Sequence, residues 1–175
     1  MDQTRILLKL ILDEVNLGDI KLDSFQDRLC LQKKVYLVQT AGLELGYRYN
    51  WYLRGPYCPN LTENAYLLKE EIENDEDDAD SYILNKKAQQ CVKTAQDIWK
   101  LPEGIEVTEA KWVELLASIH YLKSIAYWPT EPTKELVIER LLIAKPAFKG
   151  KSVLVDAAWE RLEEFGLLKK KSLAS

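Results

Sequence analysis

Apolar residues recur at helical spacing along most of the chain, and capping residues or glycines separate the runs. The first run spans residues 4–16 and ends at Gly18, while the second starts after the capping pair Asp23-Ser24 and ends at Gly42. The apolar arc of the second run is broad, so we expect this helix to be central. Stripes of this spacing, bounded in this way, predict a mainly α-helical protein.

The hydrophobic period changes between Leu43 and Leu53, where apolar and polar residues alternate. Alternation predicts a strand with one face in the core. A single strand is not stable alone, so we expect a small β-hairpin or short sheet near residues 46–54. Gly55 and Pro56 follow, and because proline fixes φ and donates no hydrogen bond, the strand is expected to stop there.

After Pro59 the pattern returns to helix, and the residues around it predict where that helix begins. Cys58 is a poor N-cap, whereas Asn60, with Glu63 three positions later, provides an approximate capping box. We therefore expect the helix to begin at Leu61. Further helical stripes cover residues 84–99, 108–122, 134–144 and 152–165, the last with Ser152 as its capping residue and Gly166-Leu167 as a Schellman-type end.

The proline-rich segment YWPTEPT marks an internal boundary. We expect a helical core domain in residues 1–128 and a C-terminal helix pair in residues 129–175 that packs on the same domain. Helix, turn, helix and then GLLKKKS is a winged-helix-like outline. The second helix, residues 152–165, carries four carboxylates against the single Arg161, so direct contact with nucleic acid is disfavoured. A winged-helix DNA-binding regulator is the alternative function.

Composition and charge narrow the functional classes further. The net charge of −4 argues against general nucleic-acid affinity, and the N-terminal segment predicts neither a signal peptide nor a membrane span. Three scattered cysteines predict free thiols and a cytoplasmic protein. The run at residues 70–80 has eight acidic side chains in eleven positions and is either a solvated loop or a contact for a basic partner.

Catalytic and cofactor chemistry has little support in the sequence. His120 is the only histidine and lies within a helical stripe, which favours a structural role over a catalytic one. The cysteines and this histidine do not form a zinc pattern, and no phosphate-binding glycine loop or nucleophile motif is present. We therefore expect no enzyme activity, no cofactor and no metal site.

The stretch LCLQKKVYLVQTAGLELGYRYNWYLRGPYCPNL carries a family resemblance. Its elements are Gln32 and Lys33 in an L-Q-K run, and Gly55, Pro56 and Pro59 in a G-P-Y-x-P corner. It resembles a group of small bacterial and archaeal proteins and is more distantly similar to the Panacea antitoxin domain. The chain departs from these relatives at Lys34, where they usually have an apolar residue, and at Cys58, where they usually have serine.

The resemblance implies a protein that neutralises a toxin by binding it, or an accessory subunit of a larger defence complex. The corner itself has two interpretations. It either builds only a strand-to-helix junction, or its outward face, with Arg48, Tyr52, Arg54 and Tyr57, forms a partner-binding patch. The function expected from the sequence is a non-catalytic protein-binding component of a prokaryotic toxin-antitoxin or phage-defence system.

Overall fold

The computed structural model describes residues 1–169 of the chain, which contain seven α-helices and one two-stranded antiparallel hairpin. The mainly α fold with a small hairpin is therefore confirmed. In chain order the elements are α1 (Gln3–Glu14), α2 (Phe25–Thr40), β1 (Asn50–Tyr52), β2 (Gly55–Tyr57), α3 (Pro59–Glu73), α4 (Lys86–Trp99), α5 (Glu109–His120), α6 (Lys134–Ala144) and α7 (Ser152–Glu164). Short 3-10 turns at Ala79–Ser81 and Pro146–Phe148, and a π-helical turn at Tyr121–Ile125, connect some of them.

Helix α2 is the central element, as its broad apolar arc predicts. Ser24 caps it through a complete capping box with Asp27, and the glycine after its last turn, Gly42, has a positive φ. One side of α2 contributes Leu37 and Val38 to the larger core, and another side contributes Val35 to the smaller one. A helix buried on several sides cannot have the narrow stripe of a surface helix.

The two core clusters show how the remaining helices are arranged. The smaller cluster joins α1, α2 and α3. The larger cluster joins α2, α4 and α5 to the C-terminal helix pair, and it includes Val137 of α6 and Ala158 of α7. The C-terminal pair therefore packs on the same core as α5. The proposed division at residues 128 and 129 stays a prediction, and residues 170–175 of the second segment lie outside the described residues.

The hairpin corrects the expectation that the strand stops at Gly55-Pro56. The chain turns at Leu53-Arg54, and residues 55–57 form the second strand, with Tyr52 opposite Gly55 and Trp51 opposite Pro56. Gly55, with φ +87°, follows this turn directly. When both residues of a two-residue turn have negative φ, the residue after them must adopt a left-handed conformation, which glycine does readily. Leu53, expected on the inner face, lies in this turn and is 85% exposed.

Residues 43–49 keep the alternation of burial but form no strand. Tyr47 is buried and its neighbours Gly46 and Arg48 are exposed, as the pattern predicts. No strand lies beside this segment within residues 1–169, and a helical side chain holds its main chain instead. Alternation therefore predicted the buried face correctly but overestimated the length of the strand.

Two helix starts also differ from the prediction. Helix α3 begins at Pro59, with Cys58 as N-cap and Asn60 already helical, so the expected start at Leu61 is wrong. Helix α7 begins at Ser152 itself, and Lys151 occupies the capping position. Neither N-cap makes a side-chain hydrogen bond. Helix α3 tolerates this because proline at N1 favours a helix start, and α7 tolerates it because tertiary packing stabilises the helix.

Other helix ends lie within two residues of the predicted ones, as in α1 (Gln3–Glu14) and α4 (Lys86–Trp99). Thr108 and Thr133 cap α5 and α6 through their side chains. Gly166 and Leu167 donate to the carbonyls of Glu163 and Leu162, which is the pattern of a Schellman motif. Residues 166–169, which follow α7, form no strand, and the rest of the segment predicted as a wing, residues 170–172, lies outside the described residues.

Gly55 also touches the core, which makes a testable contrast possible. A Cβ at Gly55 would lie 2.5 Å from Ser118 Oγ, whereas one at Gly46, which also has a positive φ, would meet nothing within 4 Å. We expect Gly55→Ala to lower the free energy of unfolding by about 2–4 kcal/mol and Gly46→Ala by about 1 kcal/mol. Urea denaturation measures both values.

Ser118→Ala tests the cause of that difference. Ser118 Oγ is buried and has no hydrogen-bond partner among residues 1–169, so its removal alone should not destabilise the fold. The double variant Gly55→Ala/Ser118→Ala should then lose no more stability than Gly46→Ala. Equal losses for the double variant and Gly55→Ala would contradict a steric clash with Ser118.

Candidate functional site

The candidate site is built on two adjacent polar residues that lie inside the fold on α2. Gln32 accepts a hydrogen bond from the Cys58 N–H at 3.0 Å and donates to the Cys58 carbonyl at 2.8 Å. The same amide nitrogen donates to Thr62 Oγ1, which in turn donates to the Tyr57 hydroxyl. Gln32 therefore fixes the residue that connects β2 to α3, whose own side chain provides no cap.

Lys33 fixes the preceding part of the hairpin. Its ammonium group donates to the Pro56 carbonyl at 2.5 Å, and the residue is only 2% exposed. Burial, with a contribution from the nearby Lys145, lowers the pKa of Lys33 to about 7, and Glu114 opposes this shift. The motif residues Gln32, Lys33, Gly55, Pro56 and Pro59 thus meet at one corner.

Gln39 repeats the Gln32 arrangement two helical turns further along α2. Its side chain donates to the Tyr47 carbonyl and accepts from the Tyr47 N–H, each at 3.0 Å. Residues seven apart lie on the same face of a helix, so both glutamines point toward the chain segment that follows α2. This second contact holds the extended segment that leads into β1.

A buried ion pair lies close to Lys33. Lys145, which follows α6, donates to Glu114 of α5 at 2.8 Å, and both side chains are 4% exposed. The Lys145 ammonium also lies 5.7 Å from the centre of the Trp51 ring. Burial lowers the pKa of Lys145, while its hydrogen bond to Glu114 raises it. The sequence gives only one signal for this pair, a glutamate within the apolar stretch WVELLASI, and the pair was not predicted from it.

Outside this buried cluster, a groove of about 580 Å³ opens between the hairpin turn, the start of α2 and the start of α3. Three of the predicted partner-binding residues, Tyr52, Arg54 and Tyr57, lie along it. The Tyr52 and Tyr57 rings meet edge to face at 5.2 Å, and the Arg54 guanidinium lies 5.4 Å from the Phe25 ring. Arg48 is exposed but does not line the groove.

The groove also includes residues that the sequence did not mark as functional. Phe25 and Tyr66 line it and are 52% and 48% exposed, close to the 46% of Tyr52. Arg28 lines it and donates to the carbonyls of Leu22 and Asp23. Periodicity placed Phe25 in the apolar stripe of α2, and only tertiary packing leaves its ring uncovered. Residues that were predicted to form one face of a strand therefore line part of a groove between the hairpin, α2 and α3.

His120 occupies a different place. Its Nδ1 lies 2.6 Å from the hydroxyl of Tyr36, and both residues are buried on the wall of a second cavity of about 490 Å³. Burial raises the pKa of Tyr36 well above its ordinary value, so this hydroxyl stays protonated at neutral pH. The buried pair joins α2 to the end of α5.

The acidic helix α7 presents its basic residue to the protein rather than to solvent. Arg161 donates to the carbonyls of Ile98 and Lys100 at the end of α4 and lies over the Trp112 ring. Asp156 forms an ion pair with Lys134. Such use of the single arginine of α7 gives no phosphate-binding surface on this helix.

Other features of the described residues carry less chemistry. Two members of the acidic run, Glu71 and Asp78, form ion pairs with Arg5 and the N-terminal amine. Within residues 1–169 no cluster of three potential metal-ligating side chains occurs, and no helix has the length and apolarity needed to cross a bilayer. The three cysteines carry no disulfide.

Comparisons of the chain with protein-family models, with curated proteins and with solved structures find no match. Function therefore has to be inferred from the groove and from the polar residues that position its walls.

The lowered pKa of Lys33 gives a prediction for stability. The unfolded chain keeps the ordinary pKa of 10.5, so between pH 7 and that value the unfolded state binds more protons than the folded state. The free energy of unfolding should rise from pH 7 to about pH 9, by at most about 1.4 kcal/mol per pH unit. Ionisation of buried tyrosines in the unfolded state acts oppositely, but only above about pH 10.

Urea denaturation across this pH range, with Lys33→Met for comparison, measures the effect. The variant leaves the Pro56 carbonyl without its donor and is less stable, but its stability should vary less with pH. Lys34→Met is the matched control, because Lys34 is paired with Glu109, and it should keep the wild-type slope. An unchanged slope in Lys33→Met would contradict a depressed pKa at Lys33.

Proposed function

We propose that this protein is a non-catalytic binding protein and that the groove beside the hairpin receives a segment of a partner protein. The observation that supports this most directly is the exposure of Phe25, Tyr52 and Tyr66 around one concave surface. Soluble proteins rarely leave several aromatic rings uncovered together, and such patches are typical of interaction sites. Tyrosine and arginine are also the residues most enriched at interface hot spots.

The groove is suited to binding because its walls are held before a partner arrives. Gln32 and Lys33 fix the main chain of the second strand and of the start of α3. A rigid hairpin does not have to be ordered on association, so less entropy is lost. The aromatic side chains on the hairpin can then contribute most of their contact energy to affinity.

The particular role that we propose is an antitoxin or an accessory subunit in a prokaryotic toxin-antitoxin or phage-defence system, in the cytoplasm. This step depends on the resemblance of the L-Q-K helix and the G-P-Y corner to antitoxin-like proteins. The motif residues form the support beneath the groove, and the groove lies where the chain shares the most with those proteins. In this proposal the mechanism is occlusion or scaffolding of the partner through Tyr52, Arg54 and Tyr57, with Arg48 at the periphery.

Co-expression with the products of the adjacent genes tests this function. The protein should co-purify with one of them and, if that product is toxic, restore growth. The double variant Tyr52→Ala/Arg54→Ala should weaken the complex by at least about 30-fold, since hot-spot truncations each lose more than about 1 kcal/mol. Isothermal titration calorimetry measures the affinity and a growth assay measures the rescue.

Tyr82→Ala is the matched control, because Tyr82 is 53% exposed and does not line the groove. It should leave affinity and rescue at the wild-type level. Intact binding and rescue in the double variant would rule out the groove as the partner site. A salt-dependent shift of duplex DNA by the protein would instead favour a DNA-binding regulator.

A further inference from the structure

The groove has an unusual charge distribution. Among residues 1–169, two arginines, Arg28 and Arg54, line it and no aspartate or glutamate does. Neither arginine forms an ion pair within these residues, and Lys33, which also borders the groove, is buried against the Pro56 carbonyl. The protein as a whole has a net charge of −4, so unpaired cations around one groove stand out against an acidic background.

Carboxylates that are near in sequence are already engaged elsewhere. Asp27, next to Arg28, accepts hydrogen bonds from the N–H and hydroxyl of Ser24 in the capping box of α2. Asp23 lies 3.6 Å from Lys69. Glu114, the acidic group that influences Lys33, is already held by Lys145. Asp27 also interacts electrostatically with Arg28 and offsets part of its charge, so the charge of Arg54 is the one most completely left for an external group.

The two arginines differ in how free they are. Arg28 uses one terminal nitrogen for the carbonyls of Leu22 and Asp23, which fixes the orientation of its guanidinium. Arg54 lies in the exposed turn of the hairpin and contacts the ring of Phe25. Both guanidinium groups offer planar, charge-assisted donors that match a carboxylate, and that of Arg28 does so in a fixed orientation.

We propose that the groove binds a partner segment that carries aspartate or glutamate beside a large apolar side chain. The carboxylates pair with Arg28 and Arg54, and the apolar side chain packs among Phe25, Tyr52 and Tyr66. This inference rests on the proposed docking function and specifies the chemistry of the segment that docks.

A single-stranded nucleic acid is the other anion that could use arginines and stacked rings. The observations favour a protein segment, because the protein has a net charge of −4 and a tract of eight acidic residues in 70–80, which repel a polyanion at long range. A short acidic segment has few charges outside the groove and avoids this repulsion.

Selection of random peptides displayed on phage against the immobilised full-length protein tests the inference. The selected sequences should be enriched in aspartate and glutamate next to phenylalanine, tryptophan or leucine. A fluorescein-labelled consensus peptide should bind at least about tenfold more tightly than its asparagine and glutamine counterpart. Fluorescence anisotropy measures both affinities, and rising salt should weaken only the acidic peptide.

Variants of the exposed arginines identify the site. Arg54→Glu should weaken the acidic peptide by at least about tenfold and Arg54→Gln by less. Lys93→Glu is the matched control, because Lys93 is exposed on α4 and lies outside the groove, and it should change affinity by about twofold or less. Arg28 is left unaltered because it also holds two main-chain carbonyls. Unchanged melting temperatures show that the variants fold.

The outcomes separate this inference from the docking function. If Tyr52→Ala weakens the selected peptides but Arg54→Glu does not, the groove docks partners without reading their charge and the inference is wrong. If neither substitution matters, both proposals fail. Selection without acidic enrichment, failure to select any peptide, or tighter Arg54-dependent binding of labelled oligothymidylate would each overturn the inference.

Discussion

The position of the hairpin depends on three polar side chains that α2 directs toward the chain that follows it. Gln39 holds both main-chain groups of Tyr47, Lys33 holds the carbonyl of Pro56, and Gln32 holds both main-chain groups of Cys58. Buried N–H and C=O groups need partners, and a two-stranded hairpin with a proline in its second strand cannot supply enough of them. The helix performs the role that further strands have in a larger sheet.

This solution brings positive charge into the protein. Lys33 and Lys145 lie near a single carboxylate, Glu114, and both lysine pKa values are lowered by burial. Two buried ammonium groups beside one carboxylate are unfavourable compared with an apolar core of similar shape. The arrangement nonetheless places the hairpin firmly against α2 and α5, and Gly55 is the residue that allows the close approach to Ser118. Because the hairpin forms one wall of the groove, this contact also holds that wall in a fixed position.

The elements that local sequence signals control were predicted well. Ser24 and the Gly166-Leu167 pair marked helix ends correctly, because capping depends on residues within one turn of the helix. The outward face of Tyr52 also followed from alternation, whereas Arg54 is exposed because it lies in the turn of the hairpin. The start of α3 did not follow, because local capping rules favoured Asn60 while the main chain of Cys58 is fixed by Gln32, a residue 26 positions earlier.

The sequence by itself determined a mainly helical protein, the central position of α2, most helix ends and the inner and outer faces of residues 43–52, since these depend on periodicity and nearby residues. Only the tertiary structure decided that Gly55 and Pro56 form a second strand. It also decided that Phe25 and Tyr66 join Tyr52 around one groove, and that Lys33, Glu114 and Lys145 share a buried site. These outcomes require contacts between distant segments, whose geometry no local pattern encodes.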